Sequence, residues 1–78
     1  MKKIFRTRNL ALSATLQALG FPVQRIEQDG PRLKILLFEQ TDELDKRIQE
    51  YWDGNLRIEP RNVIESYEDI KGQIYDRI

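Results

Sequence analysis

The run Leu33-Lys34-Ile35-Leu36-Leu37-Phe38 limits the fold more than any other part of the chain. Successive side chains of a strand point to opposite faces, and this run is apolar on both faces towards its end. Such a strand needs a neighbour along each edge and cover above and below at that end, so it is expected at the centre of a sheet. A second strand-like run, Val23 to Gln28, precedes it across Asp29-Gly30-Pro31-Arg32. Glycine and proline in a short polar link predict a hairpin, and Pro31 excludes the simplest two-residue turn.

The remaining neighbour comes from the N-terminus. Lys3-Ile4-Phe5-Arg6 is short and β-compatible and is closed by Thr7. Thr7 or Asn9 then caps a helix through Leu19, with Leu10, Ala11, Leu12, Ala14, Leu16, Ala18 and Leu19 on a broad apolar arc and Asn9, Ser13 and Gln17 opposite. Gly20 stands at the left-handed C-cap position and Pro22 prevents continuation. Thr41 caps a second helix whose first turn carries Asp42 and Glu43, with Leu44, Ile48, Tyr51 and Trp52 on one stripe and Gly54 at its end. Asp42–Lys46 and Glu43–Arg47 stand at favourable i,i+4 spacing. Pro60 opens a third helix, on which Val63, Ile64, Tyr67, Ile70, Ile74 and Ile78 share about a third of the wheel. The expected order is β-α-β-β-α-α, one α+β domain over residues 1–78. Its three-stranded, mainly antiparallel sheet packs against helices. If the first strand pairs antiparallel with the third, the third is central and the crossover is right-handed.

The same residues exclude most chemistry. There is no cysteine and no histidine among the 78 residues. Disulfides, thiolate metal sites, the commonest general base and the commonest transition-metal ligand are absent together. The hydroxyls of Thr7, Ser13, Thr15, Thr41 and Ser66 have no imidazole to activate them and serve as caps or helix-surface groups. Glu39, Asp42, Glu43 and Asp45, and again Glu65, Glu68 and Asp69, decorate the wet sides of helices beside basic neighbours. Asp53-Gly54-Asn55 lacks the alternating ligands and terminal glutamate of a calcium loop, and no glycine-rich phosphate loop is present. No catalytic, cofactor-binding or metal-ligating residue is assigned, and no enzyme, cofactor or small-molecule substrate is expected. Lys2, Lys3, Arg6 and Arg8 ahead of an Ala/Leu-rich run have the outline of a signal peptide, but Ser13, Thr15 and Gln17 interrupt it. A cytoplasmic setting with no membrane association is expected.

Two binding roles follow from what is left. The formal charge is zero, yet residues 1–38 carry seven Lys/Arg against two acids and residues 39–78 carry six against eleven. Arg6, Arg8, Arg25, Arg32 and Lys34 map to the sheet and its flanks, and Phe5, Phe21 and Phe38 lie in or beside its strands. Cations and aromatics on an open sheet face would suit a nucleic-acid strand, although neutral charge overall is atypical of such domains. Protein contact is the first expectation. Trp52, Tyr75 and Ile78 stand at helix ends or edges, aromatic side chains are enriched in interface hot spots, and a chain this small gains from burying further surface by self-association.

Phe5-x-Thr7-x-Asn9-Leu10-x-Leu12, then Gly20-Phe21, then Leu37-Phe38-Glu39, then Tyr51-Trp52-Asp53-Gly54-Asn55-Leu56-Arg57-Ile58-Glu59-Pro60 resemble a family of short bacterial and phage-borne domains of unknown function. That family's pattern has an aromatic-x-Thr-x-Asp-Leu start, a glycine-aromatic step and a Trp-x-Gly…Leu-x-Val-x-Pro link before its last helix. Asn9 here replaces the acid and Ile58 the valine. The resemblance spans nearly the whole chain and implies no activity, so it transfers no catalytic residue.

Overall fold

In a computed structural model, residues 3–76 are described, with side chains through Ile74. The elements are β1 (Lys3–Thr7), α1 (Leu10–Ala18), β2 (Arg25–Asp29), β3 (Leu33–Gln40), α2 (Asp42–Asp53) and α3 (Pro60–Asp76). The order matches the expected one. The sheet runs β1-β3-β2, with β3 central and antiparallel to both neighbours.

Local chemistry sets each boundary. At the start of α1 the Asn9 side-chain oxygen accepts from the Leu12 amide at 3.0 Å, which assigns the cap to Asn9 rather than Thr7. Thr7 Oγ1 in turn accepts from the Asn9 amide at 3.1 Å. Replacing Asn9 with alanine leaves a first-turn amide without its acceptor and should lower stability by about 1 kcal/mol, read as an earlier chemical-denaturation midpoint. Asn9→Asp keeps an acceptor there and should leave the midpoint near wild type.

The helix closes at Gly20, φ +101°, where the Gly20 amide donates to Gln17 O and the Phe21 amide to Leu16 O, both at 3.0 Å. The end of α2 repeats this double bond at Gly54, φ +75°, with donation from Gly54 to Tyr51 O and from Asn55 to Glu50 O. Both glycines occupy the left-handed region that a side chain disfavours, and both ends gain partners for otherwise orphaned carbonyls.

β2 begins two residues later than expected. Val23 packs against the core from the helix side, as Ile26 does, so strict alternation fails between them. Gln24 contributes a single bond, from its amide to Leu37 O at 2.7 Å, before the regular ladder starts at Arg25. The hairpin turns through Gly30-Pro31-Arg32, with Asp29 opposite Leu33.

The core gathers Leu12, Ala14 and Leu16 of α1, Leu36 and Phe38 of β3, Leu44 of α2 and Ile70 of α3, each at most 2% exposed. All three helices therefore bear on the sheet face that carries Leu36 and Phe38. Three sequence expectations change here. Ser13 and Thr15, read as polar-side or surface groups, are buried because α1 is covered on every side along Leu12–Leu16. Their hydroxyls donate back to Asn9 O and Ala11 O, each at 2.8 Å, which makes their burial tolerable. Ile64 leaves the α3 stripe and is 61% exposed, since the inward line runs Val63, Tyr67, Ile70, Ile74 and Ile64 stands about 100° further round. Trp52 departs from the α2 stripe in the same way, one residue past Tyr51, and is 63% exposed.

Candidate interaction surface

Ladder register assigns every strand residue to a face. The face toward the helices carries Phe5, Ile26, Leu36 and Phe38. The other face carries Ile4 and Arg6 from β1, Leu33, Ile35, Leu37 and Glu39 from β3, and Arg25, Glu27 and Asp29 from β2. None of these belongs to the helix-side core cluster or packs against it. The central strand thus lays an apolar column, Leu33, Ile35, Leu37, along the face opposite the helix-side core of the described residues.

Exposure along that column is graded. Leu33 is 48% exposed, Ile35 is half-buried and Leu37 is 4% exposed. Leu37 pairs across the ladder with Arg6 on one side and Arg25 on the other. Both arginines are exposed, and long stems beside an apolar residue can shield it while their charged heads stay in water. The expectation of a strand buried on both faces towards its end is met at Leu36, Leu37 and Phe38. Ile4, 44% exposed, extends the apolar surface onto β1.

Charge on this face is mixed. Arg25 bonds Glu27, its same-face neighbour two residues on, at 2.6 Å, and both remain at least partly exposed. Arg8, just beyond β1, pairs with Asp29 at the end of β2 across the intervening strand.

The five cations read as a candidate nucleic-acid surface divide between two places. Arg6 and Arg25 flank Leu37 on the open face. Arg8, Arg32 and Lys34 line a groove of about 460 Å3 at the hairpin end, together with Leu10, Gln28 and Ile74. There Lys34 Nζ donates to Gln28 Oε1 at 3.1 Å. Phe5 and Phe38 face the helices, with ring centroids 6.5 Å apart and planes at 45°, so no strand aromatic is offered on the open face.

Of the residues read as a protein interface, Trp52 lies at the end of α2, its ring edge-on to Tyr51 with centroids 5.0 Å apart. Tyr75 lies within α3 but its side chain is outside the described residues, and Ile78 is outside them altogether. Sequence reasoning missed Ile4, Leu33, Ile35 and Glu27 as surface candidates. The signal was present: apolar residues on both faces of β3, with helices enough to cover only one.

Several acids make local bonds. Arg47 bonds Glu50 at 2.6 Å and Glu43 at 2.9 Å, and the Glu50 bond and charge, with Glu43 behind them, hold the guanidinium above its ordinary pKa. Asp45 accepts from Gln40 at 3.0 Å, and Asp69 accepts from Gln17 at 2.9 Å and Gln73 at 3.2 Å, the Gln17 bond tying α3 to α1. No group of three or more potential metal-ligating side chains gathers among the described residues, and no helix there is long and apolar enough to cross a membrane.

These features define a small α+β domain: a three-stranded antiparallel sheet with helices on one face and a mixed apolar and charged surface on the other. The chain belongs to the family described as a domain of unknown function, DUF5659, whose model matches residues 2–76. This agrees with the resemblance read from its motifs. No curated protein and no solved structure matches the chain.

Proposed function

We propose that the domain is a non-catalytic protein-interaction module that makes contact through the open face of its sheet. One observation carries this: among the described residues, Leu33 and Ile4, 48% and 44% exposed, and the half-buried Ile35 lie on the sheet face opposite the helix-packed core. Apolar surface rimmed by charge is the usual make-up of a protein contact, with a desolvating centre and a polar edge. Arg25 and Glu27, and Arg8 and Asp29, supply that edge. Trp52 is a second contact point, at the far end of α2. A bacterial or phage protein acting in the cytoplasm, as the resemblance and the lack of cysteine imply, is the setting that goes with this role.

Binding of a nucleic-acid strand is the second reading, favoured by one observation, the convergence of Arg8, Arg32 and Lys34 on the hairpin-end groove. Against it stand the inward-facing phenylalanines and the acids interleaved with the cations.

A photo-crosslinking residue placed at Leu33, in cells, separates the two. Adducts sensitive to protease and resistant to nuclease are expected there, and few or none from a control at Glu68 on α3. Equal yields at both sites would overturn the open-face assignment. Nuclease-sensitive adducts from a probe at Arg32 would favour the nucleic-acid reading.

A further inference from the structure

We infer that the groove at the hairpin end binds a small organic anion, a carboxylate or phosphate head carried on an aliphatic body. The inference goes beyond the open sheet face, which meets the groove only at Leu33 and Arg8.

The make-up of the groove carries it. Its volume of about 460 Å3 lies in the range of small-molecule pockets. Leu10, Pro31, Leu33 and Ile74 give it aliphatic walls, and the cations stand among them with no carboxylate in the lining among the described residues. Gln28, Lys34 and Ile74 also line an adjoining hollow of about 200 Å3, whose remaining wall is Ile26, a side chain packed against the core. An aliphatic chain lying between Ile26 and Ile74 leaves water there. Its anionic head then stays on the side that Arg8 and Arg32 line.

Charge compensation within the chain is incomplete at this place. Arg8 is paired with Asp29. The half-buried Lys34 meets a neutral partner, the Gln28 amide oxygen, at 3.1 Å, and Arg32 has no acidic partner among the described residues. Gln28 is itself held, its Nε2 donating to Gly30 O at 2.9 Å, so the oxygen that orients Lys34 is fixed. At the other end of α1 the contrast is plain: the hollow lined by Arg47 and Arg57 is also lined by Glu43 and Glu50, and its charges balance. The hairpin-end groove thus keeps a positive lining in a chain of zero formal charge. An anion there gains charge-assisted hydrogen bonds from a guanidinium and an ammonium that the chain leaves without a counter-charge. No aromatic ring lines the groove for a base to stack on, so its walls suit an aliphatic body better than a nucleotide.

Proton–nitrogen correlation NMR of the full chain, titrated at constant ionic strength with octanoate or octyl phosphate to about 20 mM, tests this. Octanoate should shift the amides of Gln28, Lys34 and Ile74 saturably, with Kd on the order of 1 mM, the strength expected of a ligand of about ten heavy atoms. Hexanoate should bind roughly tenfold more weakly, because two fewer methylenes leave water. Acetate and octanol, which carry head or body alone, should each be weaker than octanoate by at least about tenfold. Arg32→Gln, in the exposed turn, and Lys34→Gln should each weaken octanoate by about threefold to tenfold, while Arg57→Gln stays within about twofold of wild type. Circular dichroism confirms that each variant folds. Saturable binding of either anion at these amides supports the site, and the tighter of the two names its head group. No saturable shift from either anion overturns it, as do shifts centred on Ile4 and Leu37 of the open face. Octanol as tight as octanoate, or octanoate unchanged in both Arg32→Gln and Lys34→Gln, overturns an anion as the occupant. A single-stranded oligonucleotide that shifts the same amides at lower concentration than either amphiphile replaces the small ligand with the nucleic-acid reading.

Discussion

Phe38→Ala is expected to remove about 3–5 kcal/mol of stability, the largest effect of any single truncation in the chain. Phe38 is 1% exposed at the middle of the central strand and belongs to the core shared by all three helices. Its loss opens a cavity among residues anchored on four different elements, which limits how far they can collapse into it. It also removes the ring contact with Phe5, its cross-strand partner, worth about 0.5–1.5 kcal/mol in such pairs. A domain of 78 residues has roughly 4–12 kcal/mol in total. The variant should therefore be largely unfolded at 37 °C or show a denaturation midpoint far below wild type. Urea titration followed by circular dichroism measures this, with Ile4→Ala on the opposite face as a control expected to change stability by less than about 1 kcal/mol. A midpoint for Phe38→Ala equal to that of the control would refute the core as described.

Ile70→Ala should give the second largest loss, about 2–5 kcal/mol, with a different signature. Ile70 is the one residue of α3 that is fully buried among the described side chains, and α3 lies mainly against α1. Val63, Tyr67 and Ile74 pack around it but stay partly accessible. The helix is thus held by a single deep anchor supported by the Gln17–Asp69 bond. Amide hydrogen exchange should show protection lost along α3 before β3, because undocking that helix leaves the sheet ladder intact. Ile64→Ala, on the exposed side of the same helix, should lie within about 0.5 kcal/mol of wild type. Uniform loss of protection across the sheet and α3 would show that the helix does not undock separately.

Most of the architecture was legible because local and global signals agree. Asn9, Thr41 and Pro60 mark helix starts, Gly20 and Gly54 mark ends, and the two-faced run of β3 demands a central place. The errors arose where periodicity is too coarse. A stripe on a helical wheel cannot tell Tyr51 from Trp52, or Val63 from Ile64, because both members of each pair lie within its width. Which of them faces in is decided by the rotation at which the helix docks, a tertiary quantity. Ser13 and Thr15 misled for a related reason: a short hydroxyl satisfied by its own helix can be buried as readily as alanine, so polarity did not report exposure. The open face was hidden by reading β3 as buried on both sides, whereas the residues that flank Leu37 on that face are Arg6 and Arg25. Their place beside it depends on cross-strand register, and no linear spacing encodes that.

A sheet of three strands has two margins for one interior member, so β1 and β2 each present backbone amides and carbonyls with no further strand to receive them. Left plain, such margins invite chain after chain to add without end. Lys3 and Arg6 on one margin, and Arg25, Glu27 and Asp29 on the other, put charged side chains above and below the edge strands that an added strand would have to lie beside. They make lateral growth by strand addition unfavourable.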